Sequence, residues 1–290
     1  MLARRQREEL KKRDMVSPKR DKPRGVLHSG ETVAGMVHAR YWPSPDLAAF
    51  VEHYWTVEWN LARPLQRETL PHPVVHIVLE GVEATVAGPA TQRFTTTLAG
   101  TGRVFGIKFH PGGFRPFIGG PVCAYADRTV ALREVFGPAA DDLSVRALAH
   151  PGHAATIAVL ETFLRGRNAG TDATATAMAA IARRIADDRS ITRIEQVVRE
   201  SGLGLRTLQR QFRDYVGVHP KWVIQRYRLH EALARIDGDA ICDWAALASD
   251  LGYADQAHLI RDFRKLVGVT PAEYAKARPH APPAGGAARR

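Results

Sequence analysis

The sequence predicts an α+β protein of two domains: a β-rich, barrel- or sandwich-like N-terminal domain, then an all-α domain of two helix-turn-helix units joined by a long helix. Three observations predict it. Between residues 190 and 274 one short pattern is written twice, pairing Gly202 with Gly252, Leu208 with Leu259, Arg210 with Arg261, Phe212 with Phe263, Gly217 with Gly268 and Pro220 with Pro271, with one extra residue in the second turn. A repeat of about 50 residues signals a repeated structural unit. From about Arg40 to Gly137 the texture is instead short apolar runs broken by Gly and Pro, which suits a sheet of many short strands. The net charge of +11 is also uneven: residues 1–24 hold 10 basic and 4 acidic side chains, 25–179 hold 12 and 13, and 180–290 hold 19 and 13. A polyanionic partner is therefore expected at the C-terminal region, and another role for the near-neutral middle.

Taken in order, residues 1–37 read as a disordered basic tail. Arg4, Arg5, Arg7, Lys11, Lys12 and Arg13 mix with acidic residues, Pro and Gly, and too few apolar groups are present to offset the entropy of ordering. Met1, Met15 and Met36 are alternative starts. Residues 38–170 read as a β-rich sensor and dimerisation domain ending in helices. In it Ser44-Pro45-Asp46 opens a short helix through Phe50 and Val51. Strands are expected at 54–59, 74–79, 84–87, 94–98 and 103–109, with turns at Glu80-Gly81 and Gly100-Thr101-Gly102. Leu143, Ala147 and Leu148, then Ile157, Leu160 and Leu164, have helical spacing and offer faces for a second subunit. The stretch 165–172 is the expected linker.

Residues 171–278 form the helical domain, with 279–290 a second disordered tail. Thr192 and Glu195 have capping-box spacing, and Gly202 permits the positive φ that ends a helix. Leu205, Leu208 and Phe212 bury one face of the helix that follows, leaving Arg206, Gln209, Arg210 and Arg213 outside. Trp222, Arg226, Leu229, Leu233 and Ile236 form one stripe of the joining helix. In the second copy Trp244, Leu247, Ala248 and Leu251 make the first stripe, Asp255 is the N-cap, and Leu259 with Phe263 anchor the last helix. Gln256, Ala257, His258 and Arg261 face out.

Those outward faces carry major-groove chemistry. Arg pairs bidentately with guanine O6 and N7, Gln with adenine, and Ala touches a thymine methyl. Arg206, Gln209, Arg210, Gln256, Ala257, His258 and Arg261 are the candidate base contacts, with Arg213 and Lys221 on phosphates. The duplicated pattern, above all 252–263 with Gly268-Val269-Thr270-Pro271, resembles the AraC/XylS-type transcriptional regulators over residues 175–277. The first copy departs from the family in Gly204, where Ser is frequent, and Val198, where Ala is usual. The resemblance implies a sequence-specific regulator with double-stranded DNA as partner, RNA polymerase as a further one, a small-molecule effector and a homodimer. Thr69-Leu70-Pro71 and residues 103–114 look like an uncharacterised N-terminal domain found on some members.

The rival reading is a metal-dependent, cupin-like enzyme. His72, His76 and Glu80 at spacings of four share one face of an extended strand and are the candidate ligands, with His110 an extra one. Pro71 and Pro73 oppose it by spoiling the ladder at His72, and the paired histidines of the cupin pattern are absent. No cofactor and no catalytic residue is expected. A sequence-independent DNA binder is the third reading. Cys123 reads as a buried small apolar residue and Cys242 as packing at a helix start. Two distant cysteines, no secretory leader and no apolar run of about 20 residues lead to an expected cytoplasmic, nucleoid-associated location without membrane contact.

Overall fold

The computed structural model describes residues 33–150, 152–167, 170, 172–238 and 243–277. The chain divides between Tyr227 and Arg228 into two compact units. The first holds an antiparallel sheet of β1 (Met36–Tyr41), β2 (Val51–Thr69), β3 (His76–Glu80), β4 (Glu83–Ala87), β5 (Phe94–Phe109) and β6 (Thr129–Ala131), in the order β1-β2-β5-β3-β4-β6. The β-rich N-terminal domain followed by helices is as expected. Its strands make one six-stranded antiparallel sheet with β1 and β6 at its edges.

The long pair β2 and β5 forms the spine, paired from Val51↔Phe109 to Thr69↔Phe94 with register shifts between Val51 and His53 and between Leu61 and Leu65. The turn expected at Gly100-Thr101-Gly102 is absent, because this stretch lies inside β5 opposite Leu61, Asn60 and Trp59. Its glycines serve the sheet instead: a Cβ on Gly102 would meet the Trp59 ring at 2.2 Å, and one on Gly106 the Trp55 ring at 2.1 Å. The helix expected from Ser44 is a run of turns, with the Leu47 and Ala48 amides donating to the Ser44 carbonyl before Val51 enters β2. β1 starts at Met36, so the ordered domain reaches two residues into the stretch read as tail; residues 1–32 and 278–290 of the two tails lie outside the described residues.

Alternation sends Tyr54, Thr56, Ile77, Leu79, Val86, Phe105 and Ile107 to one face, all of them at most 1% exposed. Against them pack α1 (Leu132–Phe136), α2 (Leu143–Leu148) and α3 (His153–Arg165). Leu143, Ala147, Leu160 and Leu164 are buried here, so the spacing was read correctly but the apolar faces cover the chain's own sheet, not a second subunit. Glu161 locks α3 to the start of β2. Its buried carboxylate accepts from the Ser44 amide (2.8 Å), the Ser44 hydroxyl (2.5 Å) and Arg165 Nη2 (3.0 Å), so its charge is matched by donors.

The helical part comprises α4 (Ala173–Asp187), α5 (Ile194–Ser201), α6 (Leu205–Tyr215) and α7 (Pro220–Gly238), then α8 (Trp244–Asp250), α9 (Gln256–Val267) and α10 (Pro271–Lys276). Met178, Ala182 and Ile185 of α4, Val197 of α5, Leu208 and Phe212 of α6, and Val223 and Ile224 of α7 share one core. Fully burying Leu208 or Phe212 contributes about 1.5–3 kcal/mol each. Leu205 does not join them and is 44% exposed, because it is the first residue of α6 and lies a turn short of that core. In the second unit Leu247, Ala248, Leu251, Tyr253, Leu259, Phe263, Val267 and Tyr274 are buried. Part of the expected linker, Asn168, Ala169 and Thr171, lies outside the described residues, as does Cys242.

Candidate nucleic-acid interface

Each copy of the repeat folds as helix, turn, helix. In the first, α5 ends at Gly202 with φ +68° and α6 starts after the N-cap Gly204. In the second, α8 is followed by Gly252, again at φ +68°, and α9 starts after Asp255, one residue later in its turn. The helices that follow close alike, on Gly217 at φ +86° and Gly268 at φ +89°. Four matched glycines in the left-handed region explain why the pattern needs Gly at those places.

The caps are built from the residues nearby. Asp255 Oδ1 accepts from the His258 amide at 2.7 Å, and Asp243 Oδ1 accepts from the amides of Ala245 and Ala246. At α5 the capping side chain is Gln196, whose Oε1 accepts from the Thr192 and Arg193 amides, and not Glu195. The helix begins one residue later than the Thr192 spacing implied, which moves the third helical position onto Gln196.

On α6, Arg206, Arg210 and Arg213 are exposed and Gln209 is half-buried. Among the described residues the three arginines enter no ion pair, so their donors stay available. With Asp214, His219 and Cys123 these four side chains line one cleft of about 430 Å³. Cys123 is therefore half-exposed beside α6, not buried as the sequence suggested. It lies in a 310 turn, Val122–Tyr125, and a Cβ on Gly217 would meet Pro89 Cγ at 2.8 Å and Val122 Cγ1 at 3.0 Å. The Arg115 guanidinium stacks 5.6 Å from the centre of the Tyr215 ring. The sheet domain thus packs directly on the end of α6, which no local sequence signal announced. Lys221 is exposed in the first turn of α7.

On α9, Gln256, Ala257 and Arg261 are exposed. His258 is more engaged: its ring meets Tyr253 edge-on at 5.0 Å, and its Nε2 lies 3.7 Å from Asp262. Arg228 holds its guanidinium 3.9 Å over the same Tyr253 ring, and burial lowers the Arg228 pKa.

The candidate metal ligands do not converge. His76 and Glu80 both lie on β3, but His72 precedes the strand, and among the described residues no group of three or more His, Cys, Asp or Glu could hold a metal ion. His76 Nδ1 instead accepts from Trp55 Nε1 at 3.2 Å. Burial lowers the His76 pKa to about 3, and Lys108 pushes in the same direction. His110 is lowered as well, again chiefly by burial. Residue Arg226, expected on the stripe of the joining helix, is there but is only 2% exposed.

Residues 197–277 match the model of a helix-turn-helix domain, and residues 39–131 match a domain of unknown function (DUF6597). A comparison with curated proteins returns no match. Among solved structures, ToxT from Vibrio cholerae is similar at 12% identity with a TM-score of 0.38, covering 83% of this chain and 97% of that one. ToxT of Vibrio cholerae strain SCE256 bound to an unsaturated fatty acid is 14% identical, with a TM-score of 0.35 over 84% and 96% of the two chains. The xylose-binding transcription activator XylR is 19% identical, with a TM-score of 0.29 over 53% of this chain and 41% of that one.

Proposed function

We propose that this chain, a DNA-binding transcription regulator by its AraC-type helix-turn-helix domain, reads a specific duplex sequence with both units and answers to a small molecule through its N-terminal domain. The observation that carries the reading is the doubled helix-turn-helix with its matched left-handed glycines and outward-facing Arg206, Gln209 and Arg210 on α6 and Gln256, Ala257 and Arg261 on α9. In this reading those residues, with His258, contact base edges, while Arg213 and Lys221 hold phosphates. His258 then reaches a base only by leaving Asp262 or by donating from its other nitrogen.

The near-neutral sheet domain supplies regulation and not catalysis, and no cofactor takes part. Because it packs on the end of α6, a change in it has a direct route to a reading helix. A homodimer belongs to this reading, and its contact must use a surface other than the buried faces of α2 and α3. RNA polymerase is the further partner of a regulator bound at a promoter. The location proposed is the cytoplasm, on the nucleoid; among the described residues no helix is long and apolar enough to cross a membrane.

The test is selection of bound duplexes from a random library by the full chain, with affinity then measured on single-base variants of the enriched site. Enrichment of one motif, with losses concentrated at particular base pairs, is expected. Equal affinity for all duplexes, with a steep salt dependence, would leave only sequence-independent binding. Sedimentation of the full chain checks the dimer.

A further inference from the structure

Leu205, the first residue of α6, is a large apolar side chain left 44% exposed at the tip of a reading helix. Among the described residues it packs in neither core. Leu208 and Phe212 carry the buried side of α6, and the partly buried residues that join them, Ile194, Val198 and Leu203 among them, do not include Leu205. The end of the helix around it is open: its N-cap, Gly204, supplies no side-chain hydrogen bond, and a Cβ added to Gly204 would meet nothing within 4 Å. A single exposed leucine is ordinary on a protein surface and means little by itself. The repeat gives this one a counterpart.

With Leu208 set on Leu259, Arg210 on Arg261 and Phe212 on Phe263, Leu205 falls on Gln256. The two are the first residues of their helices, α6 and α9, and both are exposed. The N-terminal residues of a recognition helix are those that meet base edges in the major groove. Gln256 is such a contact in the reading proposed above, so the same place in the first unit is filled by an isobutyl group. That group has no atom that hydrogen-bonds. Its match on a major-groove edge is the C5-methyl of thymine, the apolar group that sets a T·A pair apart from the others.

We infer that Leu205 reads a thymine through its methyl group and is the apolar specificity determinant at the N-terminal end of the first reading helix. The inference rests on the reading of the chain as a sequence-specific regulator, and adds to its candidate base contacts a residue that selects a base without a hydrogen bond. Removing one methyl group from such a contact weakens binding by roughly fourfold. The two units also differ at their matched first positions, since glutamine suits adenine and leucine suits thymine. The two half-sites read by one chain therefore differ at the corresponding base pair.

The experiment takes the duplex that the full chain enriches from a random library and replaces each thymine in turn by deoxyuridine, which keeps every hydrogen-bonding atom and lacks the methyl. Kd is measured for the wild type, Leu205→Ala and Leu205→Gln. At one thymine, deoxyuridine should weaken the wild type by roughly fourfold. Leu205→Ala should show a similar loss on the thymine duplex and bind that deoxyuridine duplex as the wild type does. Leu205→Gln should shift preference at the same base from thymine towards adenine, and it keeps the test decisive if the alanine variant does not fold. Both variants should melt at the wild-type Tm, because Leu205 lies outside the core. Deoxyuridine without effect at every thymine, or a Leu205→Ala loss equal on all duplexes, overturns the inference. Failure to enrich any motif is a different result: it overturns the reading as a sequence-specific regulator, and this inference with it.

Discussion

Arg210 is the side chain on which direct readout can be tested most cleanly. It is exposed on α6, one turn beyond Arg206, while buried Leu208 and Phe212 fix the helix beneath it. A bidentate pair with a guanine makes Arg210→Ala cost about 1–3 kcal/mol and relaxes preference at one base pair. Lys221→Ala should weaken all sequences alike and lower the salt slope by roughly one unit. Binding on a panel of single-base operator variants at two salt concentrations separates them, and a uniform loss for Arg210→Ala would make Arg210 a phosphate contact. Gly217 and Gly202 give a second comparison. Both have positive φ, so alanine at either costs about 1–2 kcal/mol, but only at Gly217 would a Cβ strike Pro89 and Val122. Gly217→Ala should therefore lower the urea midpoint more than Gly202→Ala, and equal losses would show that this packing contributes nothing. The glycines were legible in the sequence because their conformational requirement is local. Cys123 was misjudged because what decides its environment is a partner far away in the chain, α6.

Among the elements, α7 was read closely from its stripe: Arg226, Leu229, Leu233 and Ile236 are buried on a continuous helix of 19 residues. At about 1.5 Å per residue it is roughly 28 Å long. Two helix-turn-helix units in one chain, each reading a major groove, are expected on successive grooves about 34 Å apart. Footprinting should then show two protected half-sites one helical turn apart for each chain, and protection of one short site only would refute the geometry. The sheet was read less well, for a reason that lies in its pairing. Glycines 100 and 102 look like a turn to any local rule, yet β2 runs opposite them throughout and Trp59 lies where a side chain at 102 would be. Ser44-Pro45-Asp46 has the composition of a helix start, but Glu161 of α3 takes the Ser44 amide and hydroxyl and fixes a turn there. Local propensity yields where a distant buried carboxylate needs donors.

For the molecule as a whole, the near-neutral middle segment folds around neutral imidazoles, and this predicts how stability depends on pH. His38 is lowered to about 4, mainly by burial with Arg40 adding to it, and His76 to about 3, mainly by burial with Lys108 adding to it. His53 shifts the same way for the same first cause. Unfolded, each imidazole takes a proton near pH 6.5; folded, it does so only well below. Above pH 6.5 neither state binds these protons, so they leave stability flat. As pH falls from 6.5 towards 4 the unfolded chain gains protons the folded chain refuses, and stability drops by up to about 1.4 kcal/mol per pH unit for each such histidine. The depressed pKa of Glu52, held by His53 and Lys108 against the opposing effect of burial, adds its loss only below the usual carboxylate range near 4.5. The window from 6.5 to 4.5 is therefore governed by the imidazoles. Urea unfolding across it should show a falling midpoint, and His76→Asn, which keeps an acceptor for Trp55 Nε1 but cannot titrate, should flatten the slope by one proton's worth. An unchanged slope in that variant would mean that His76 is protonated in the folded chain, and the neutral, Trp55-bonded imidazole would have to be given up.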